Sequence, residues 1–113
     1  MLPGLDVLEH YPYECTEQTV SRFLPNVVTW QALEEMGIEE PESDPQLRQK
    51  LAQMVGTGLQ RLYGQQHYDG GWGWWATDES DPYLTAYALQ GMLEAHRAGF
   101  VVDREVMDRA AGF

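Results

Sequence analysis

The sequence predicts an all-α protein built from antiparallel helical hairpins. Apolar residues recur at three- and four-residue steps in successive segments, the spacing of a buried helical stripe. Asp-Pro pairs open two of these segments, and glycine closes the first three.

The first helix is predicted from about Thr16 to Met36. Val20, Phe23, Leu24, Val27, Trp30 and Leu33 fall on one stripe. Pro25 lies inside it and cannot donate to the helical ladder, which predicts a kink or break near Leu24. Gly37 suits a left-handed C-terminal cap. The polar run Glu39-Glu40-Pro41-Glu42-Ser43-Asp44-Pro45 reads as a linker. Asp44 is then predicted to cap a second helix with Pro45 in its first position. Leu47, Leu51, Met54, Val55, Gly58 and Leu62 form its buried face. Arg48, Gln49, Gln53, Gln60 and Arg61 form the wet one, and Gly64 ends it.

Gln65-Gln66-His67-Tyr68-Asp69-Gly70-Gly71-Trp72-Gly73-Trp74-Trp75 follows as a glycine-aromatic loop. Glycines permit close backbone approach, and Trp72, Trp74 and Trp75 are expected to fill gaps where one hairpin is pinned to the next. Asp81 caps a third helix with Pro82 first, running to about Ala98 before Gly99. Tyr83, Leu84, Ala86, Tyr87, Ala88, Leu89, Met92, Leu93 and Ala95 surround most of that cylinder, as in a helix at the middle of a larger body. A fourth helix starts after Asp103 and is still running near Phe113. Residues 1–113 therefore read as a single partial domain whose apolar faces call for further partners.

Composition narrows the function. The 113 residues carry 7 Lys+Arg against 18 Asp+Glu, a net charge of −11, which repels phosphate backbones and anionic membranes. No nucleic-acid partner and no membrane insertion are expected, since no run approaches a transmembrane helix. Met1-Leu2-Pro3-Gly4-Leu5-Asp6 lacks the blocks of a signal peptide, so the signal of an exported parent would lie outside this chain. One cysteine, Cys15, excludes an internal disulfide and a multi-cysteine zinc site. His10, His67 and His96 show no metal spacing, and Asp78-Glu79-Ser80-Asp81 reads as helix entry rather than a cation loop. No metal and no cofactor are predicted.

Tyr11-Pro12-Tyr13-Glu14-Cys15-Thr16-Glu17-Gln18-Thr19 is the informative segment. Cys15 and Gln18 stand three apart at a helix start, so their side chains can meet across one turn. A thiolate there can attack the carboxamide carbon and expel ammonia, leaving an internal thioester. Backbone N–H groups at the helix end are available to the developing oxyanion. Spacing alone favours a packed, inert cysteine, the commoner role of a lone buried one.

The wider context resembles the thioester region of bacterial alpha-2-macroglobulins. Cys15-Thr16-Glu17-Gln18, preceded by Tyr-Pro-Tyr and followed by Thr-Val-Ser-Arg-Phe-Leu-Pro, carries the resemblance. It extends through Gly-Gly-Trp-Gly-Trp-Trp and Asp-Pro-Tyr-Leu-Thr-Ala-Tyr-Ala-Leu, essentially the whole chain. Glu14 departs from the glycine that many members place before the cysteine. The resemblance implies a partial α/α toroid, the start of the thioester domain of an endopeptidase inhibitor. It implies a bond from Cys15 Sγ to Gln18 Cδ, with Thr16 and Glu17 as motif neighbours and Tyr11 and Tyr13 as shielding aromatics. The implied partners are proteases captured covalently after bait cleavage, and other domains of an exported parent. Such a protein is a self-acylating trap, not a turnover enzyme. None of the three histidines matches the transfer histidine of some complement relatives.

Two other readings stand beside this one. Gln66-x-x-x-Gly70-x-Trp72 also fits the Gln-Trp motif of squalene-hopene-type cyclases, whose domains are α/α barrels, although no Asp-x-Asp-Asp acid accompanies it. A plain helical interaction module with an inert Cys15 is the other.

Overall fold

A computed structural model describes residues 15–75 and 77–113. Tyr11, Tyr13 and Glu14 lie outside the described residues. Four helices follow one another: α1 (Thr16–Met36), α2 (Leu47–Gln65), α3 (Pro82–Arg97) and α4 (Arg104–Ala111). There is no strand among the described residues. Helix α1 packs against both α2 and α3, and α4 packs on α3. This is the all-α, helical-hairpin build that the periodicity predicts, as in a segment of an α/α toroid.

The core forms where the stripes meet. Val20, Phe23 and Val27 of α1 cluster with Val55, Leu59 and Leu62 of α2 and with Ala88, Met92 and Ala95 of α3. Each large apolar side chain so buried contributes about 1.5–3 kcal/mol. Phe23 sits in a socket that two glycines create. A Cβ at Gly58 of α2 would lie 2.7 Å from Phe23 Cβ, and one at Gly91 of α3 would lie 3.0 Å from Phe23 Cζ. Lacking side chains there, α2 and α3 can close on the ring from two sides.

Helix α1 runs through Pro25 as one helix, so of the expected kink or break there is no break. Only one ladder bond is forfeited, that to the carbonyl of exposed Ser21, which solvent can reach. The Pro25 carbonyl accepts from Thr29 Oγ1 at 2.9 Å, and burial on both sides of α1 outweighs the local cost. Gly37 terminates the helix in the left-handed conformation, φ +70°. Its N–H bonds the Glu34 carbonyl, and the Ile38 N–H reaches the Leu33 carbonyl, a Schellman closure.

Helix α2 starts at Leu47, not at Pro45. Asp44 instead closes a turn: its carbonyl accepts from Leu47 N and its side chain accepts from Gln46 N. Gly64 lies inside the helix, which extends to Gln65, and Leu59 joins the buried face. Arg48 is more than a solvated residue. It pairs with Glu34 at 2.6 Å, donates twice to the Ile38 carbonyl and covers the Trp30 ring at 4.8 Å.

Asp81 caps α3 as predicted, its side chain accepting from Tyr83 N and Leu84 N. The nearly all-round apolar surface of α3 divides in two. Leu84, Ala88, Met92 and Ala95 are buried, whereas Tyr83 and Leu93 remain exposed, because the neighbouring helices cover one side only. Asp103 caps α4 through Val106 N.

Candidate functional site

Cys15 is the N-cap of α1, with extended backbone at φ −77° and ψ 166°. The Gln18 backbone N–H points at the Cys15 side chain, and the Cys15 N–H donates to Gln18 Oε1 at 3.3 Å. This reciprocal capping box ties each side chain to the other residue's backbone across one turn. Ser, Thr, Asp and Asn are the effective N-caps. Sulfur accepts weakly, so capping alone does not account for cysteine at this position. Cys15 is buried at 8% exposure, while Gln18 is exposed.

Thr16 fastens this turn to the glycine-aromatic loop. Its N–H donates to the Trp74 carbonyl at 3.1 Å, and its Oγ1 donates to the Gly73 carbonyl at 2.7 Å. Glu17 accepts from Ser21 Oγ at 2.9 Å, and Ser21 Oγ lies 2.8 Å from Tyr87 OH on α3. Because the Ser21 proton goes to the carboxylate, the tyrosine is the donor in the second bond. Spacing gave no sign of either link, since each joins elements more than fifty residues apart.

The loop is held at both ends. Trp72 is fully buried, and its Nε1 donates to the Leu62 carbonyl at 2.9 Å, in the last turn of α2. Gln66 Nε2 donates to the carbonyls of Gly70 and Val106, and Gln66 Oε1 accepts from Arg109. The Gln66–Trp72 motif is thus occupied in stapling α2, the loop and α4 together. Trp74 and Trp75, expected to fill gaps, are half-exposed at 49% and 45%. The hydrogen bonds to α1 come from the Gly73 and Trp74 carbonyls.

A second polar cluster lies in a groove beside Phe113. Ser80 Oγ donates to Asp69 Oδ1 at 2.7 Å and lies 2.8 Å from His67 Nδ1. With its own proton committed, Ser80 accepts from Nδ1–H of His67. The Gly71 N–H, and then the Ser80 hydroxyl, hold the Asp69 carboxyl below its ordinary range. No group of three metal-ligating side chains occurs among the described residues. None of their helices is long and apolar enough to cross a membrane.

Among the sequence-derived candidates, Cys15 and Gln18 are therefore in contact, and Thr16 and Glu17 bind outward to the loop and toward α3. The A-macroglobulin TED domain family matches residues 2–113. The chain belongs to this family. It is 40% identical over 106 residues to an alpha-2-macroglobulin of Thermotoga maritima, covering 94% of this chain and 6% of that protein. An alpha-2-macroglobulin of Escherichia coli is 34% identical over 104 residues, covering 90% of this chain and 6% of that one. Thioester-containing protein 1 of Anopheles gambiae is 26% identical over 110 residues, covering 97% and 8%. This TED-family chain thus spans well under a tenth of the relatives it matches. No solved structure matches it significantly.

Proposed function

We propose that Cys15 and Gln18 form an internal thioester, Sγ to Cδ, that acylates a nucleophile presented to the domain. The reciprocal bonds between Cys15 and Gln18 carry this reading. They hold the carboxamide on the Cys15 backbone and the sulfur beside the Gln18 backbone N–H, so that both reacting groups sit in one turn, an arrangement that favours intramolecular attack. As sulfur adds to Cδ, charge develops on Oε1, which already accepts the Cys15 N–H. Collapse of the adduct expels ammonia, the thiol supplying the proton it needs.

The second half-reaction runs at the same carbon. A neutral primary amine adds to Cδ, the Cys15 thiolate leaves, and the one proton the nitrogen loses passes to sulfur. The product is a substituted amide at Gln18 and a free thiol. Amides acylate poorly, so the domain acts once and does not turn over. Exposure of Gln18 lets a nucleophile reach Cδ, and burial of Cys15 keeps the leaving group away from solvent.

Membership of the family and the names of the relatives support placing this chemistry in an exported, multidomain, alpha-2-macroglobulin-like protease inhibitor. There the nucleophile is a lysine amine of the protease being trapped, and the remaining domains shield the bond until bait cleavage. Treating the full-length protein with methylamine tests the reading. Intact mass is expected to begin one ammonia short, then rise by one methylamine located at Gln18, with one thiol released at Cys15. A full-length protein with a titratable Cys15 and no mass deficit would overturn it.

A further inference from the structure

We propose that Thr16 is a positioning residue for the Cys15–Gln18 bond, acting by locking the peptide plane between residues 15 and 16. The proposal rests on the thioester reading and assigns a role within that site.

The peptide plane is held on both of its polar edges. On one edge, the Cys15 carbonyl accepts from Thr19 N at 2.9 Å and from Thr19 Oγ1 at 3.0 Å. On the other, the Thr16 N–H donates to Trp74 O at 3.1 Å. The Thr16 side chain adds a bond to Gly73 O at 2.7 Å, and Thr16 is only 1% exposed. Rotation of this plane would alter the ψ of Cys15 and the φ of Thr16. Those two angles govern how Cys15, carrying Sγ and the N–H, is oriented toward Gln18, which lies in the helix beyond Thr16. The N–H in the first position of a helix has no partner within the helix. Here that partner comes from a loop 58 residues away in sequence, fixed in turn by Trp72 and Thr85. A thioester needs its reacting atoms within a narrow range, and a misplacement of about 1 Å can cost on the order of a hundredfold in rate.

Thr16→Val keeps the shape of the side chain and deletes the bond to Gly73. Thr16→Ser keeps that bond and trims a methyl. Gly73→Ala disturbs the clasp from the other side, because its Cβ would run into the Glu79 carbonyl. Gly58→Ala, in the Phe23 socket, serves as a control destabilised elsewhere. Each is made in the full-length protein and read by the ammonia deficit in intact mass and by the rate of methylamine-dependent thiol release. Wild type, Thr16→Ser and Gly58→Ala are expected to hold the bond. Thr16→Val and Gly73→Ala are expected to lose most of it, or to form it about tenfold more slowly. If Thr16→Val does not fold, Gly73→Ala and Thr16→Ser still decide the matter.

Formation at the wild-type rate in Thr16→Val or Gly73→Ala would overturn the proposal, as would equal loss in Gly58→Ala. Wild-type protein that never takes up amine overturns the thioester reading instead. The two failures are therefore distinct.

Discussion

Phe23 occupies the volume that a side chain at Gly58 would need, its Cβ lying 2.7 Å from where that residue's Cβ would stand. The overlap falls on the root of the phenylalanine, about two turns along α1 from Cys15, where a change of rotamer gives no relief. Gly58→Ala is therefore expected to destabilise the domain by about 1–3 kcal/mol despite the better helix propensity of alanine. Chemical denaturation checks this, read as a lower midpoint at unchanged slope. An unchanged midpoint would mean the helices separate at little cost.

Trp72 supplies a second test. Its indole N–H satisfies a carbonyl in the last turn of α2, within the core. Trp72→Phe leaves that carbonyl without its donor and a gap where the larger ring was. A loss of about 2–4 kcal/mol is expected, combining the unmade bond with the cavity. Thermal melts followed by far-UV circular dichroism would measure it.

Asp69 makes a prediction about acid. Its folded-state pKa is depressed by the Gly71 N–H and the Ser80 hydroxyl. Its contribution to stability is therefore fully present above its unfolded pKa, and is lost as pH falls through the lower folded value. The side chain is exposed, so the effect is modest. Asp69→Asn is expected to flatten the acid limb of the stability profile below about pH 4, where the ordinary carboxylate titrates. A limb identical to that of wild type would show that the carboxylate adds nothing to the loop.

Cys15→Ser separates capping from chemistry. Serine is a better N-cap than cysteine, so helix content and melting temperature are expected to hold or rise slightly. Amine uptake at Gln18 is expected to vanish, because a serine hydroxyl is far less nucleophilic than a thiol at neutral pH. Cys15→Ala also abolishes uptake and, because sulfur is a weak cap, is expected to change stability by less than about 0.5 kcal/mol. Peptide mapping after methylamine treatment reads the uptake, and thermal melts read the stability.

Helix existence and the buried stripe of α1 were legible in the sequence because periodicity reports burial directly. The Asp81-Pro82 and Gly37 boundaries were legible because local chemistry dictates them. Asp44-Pro45 misled for the same reason: the pair closes a turn just as readily as it opens a helix, and here it closes one. Pro25 does not break α1 because a single lost ladder bond is small beside burial against two helices. At the site, the Cys15–Gln18 contact was legible since both residues belong to one turn. The Thr16 clasp, the Ser21–Tyr87 link and the Phe23 socket were not. Each depends on which distant backbone or side chain arrives, and no local pattern encodes that.

The loop grips α1 through main-chain carbonyls at Gly73 and Trp74, leaving the Trp74 and Trp75 side chains half in solvent. A carbonyl is common to every amino acid. Substitution at positions 74 and 75 can therefore remodel the outer surface while the reactive turn keeps its anchor. Mutational drift, or a designed library, can explore new contact surfaces at these two positions without retuning the chemistry beneath them.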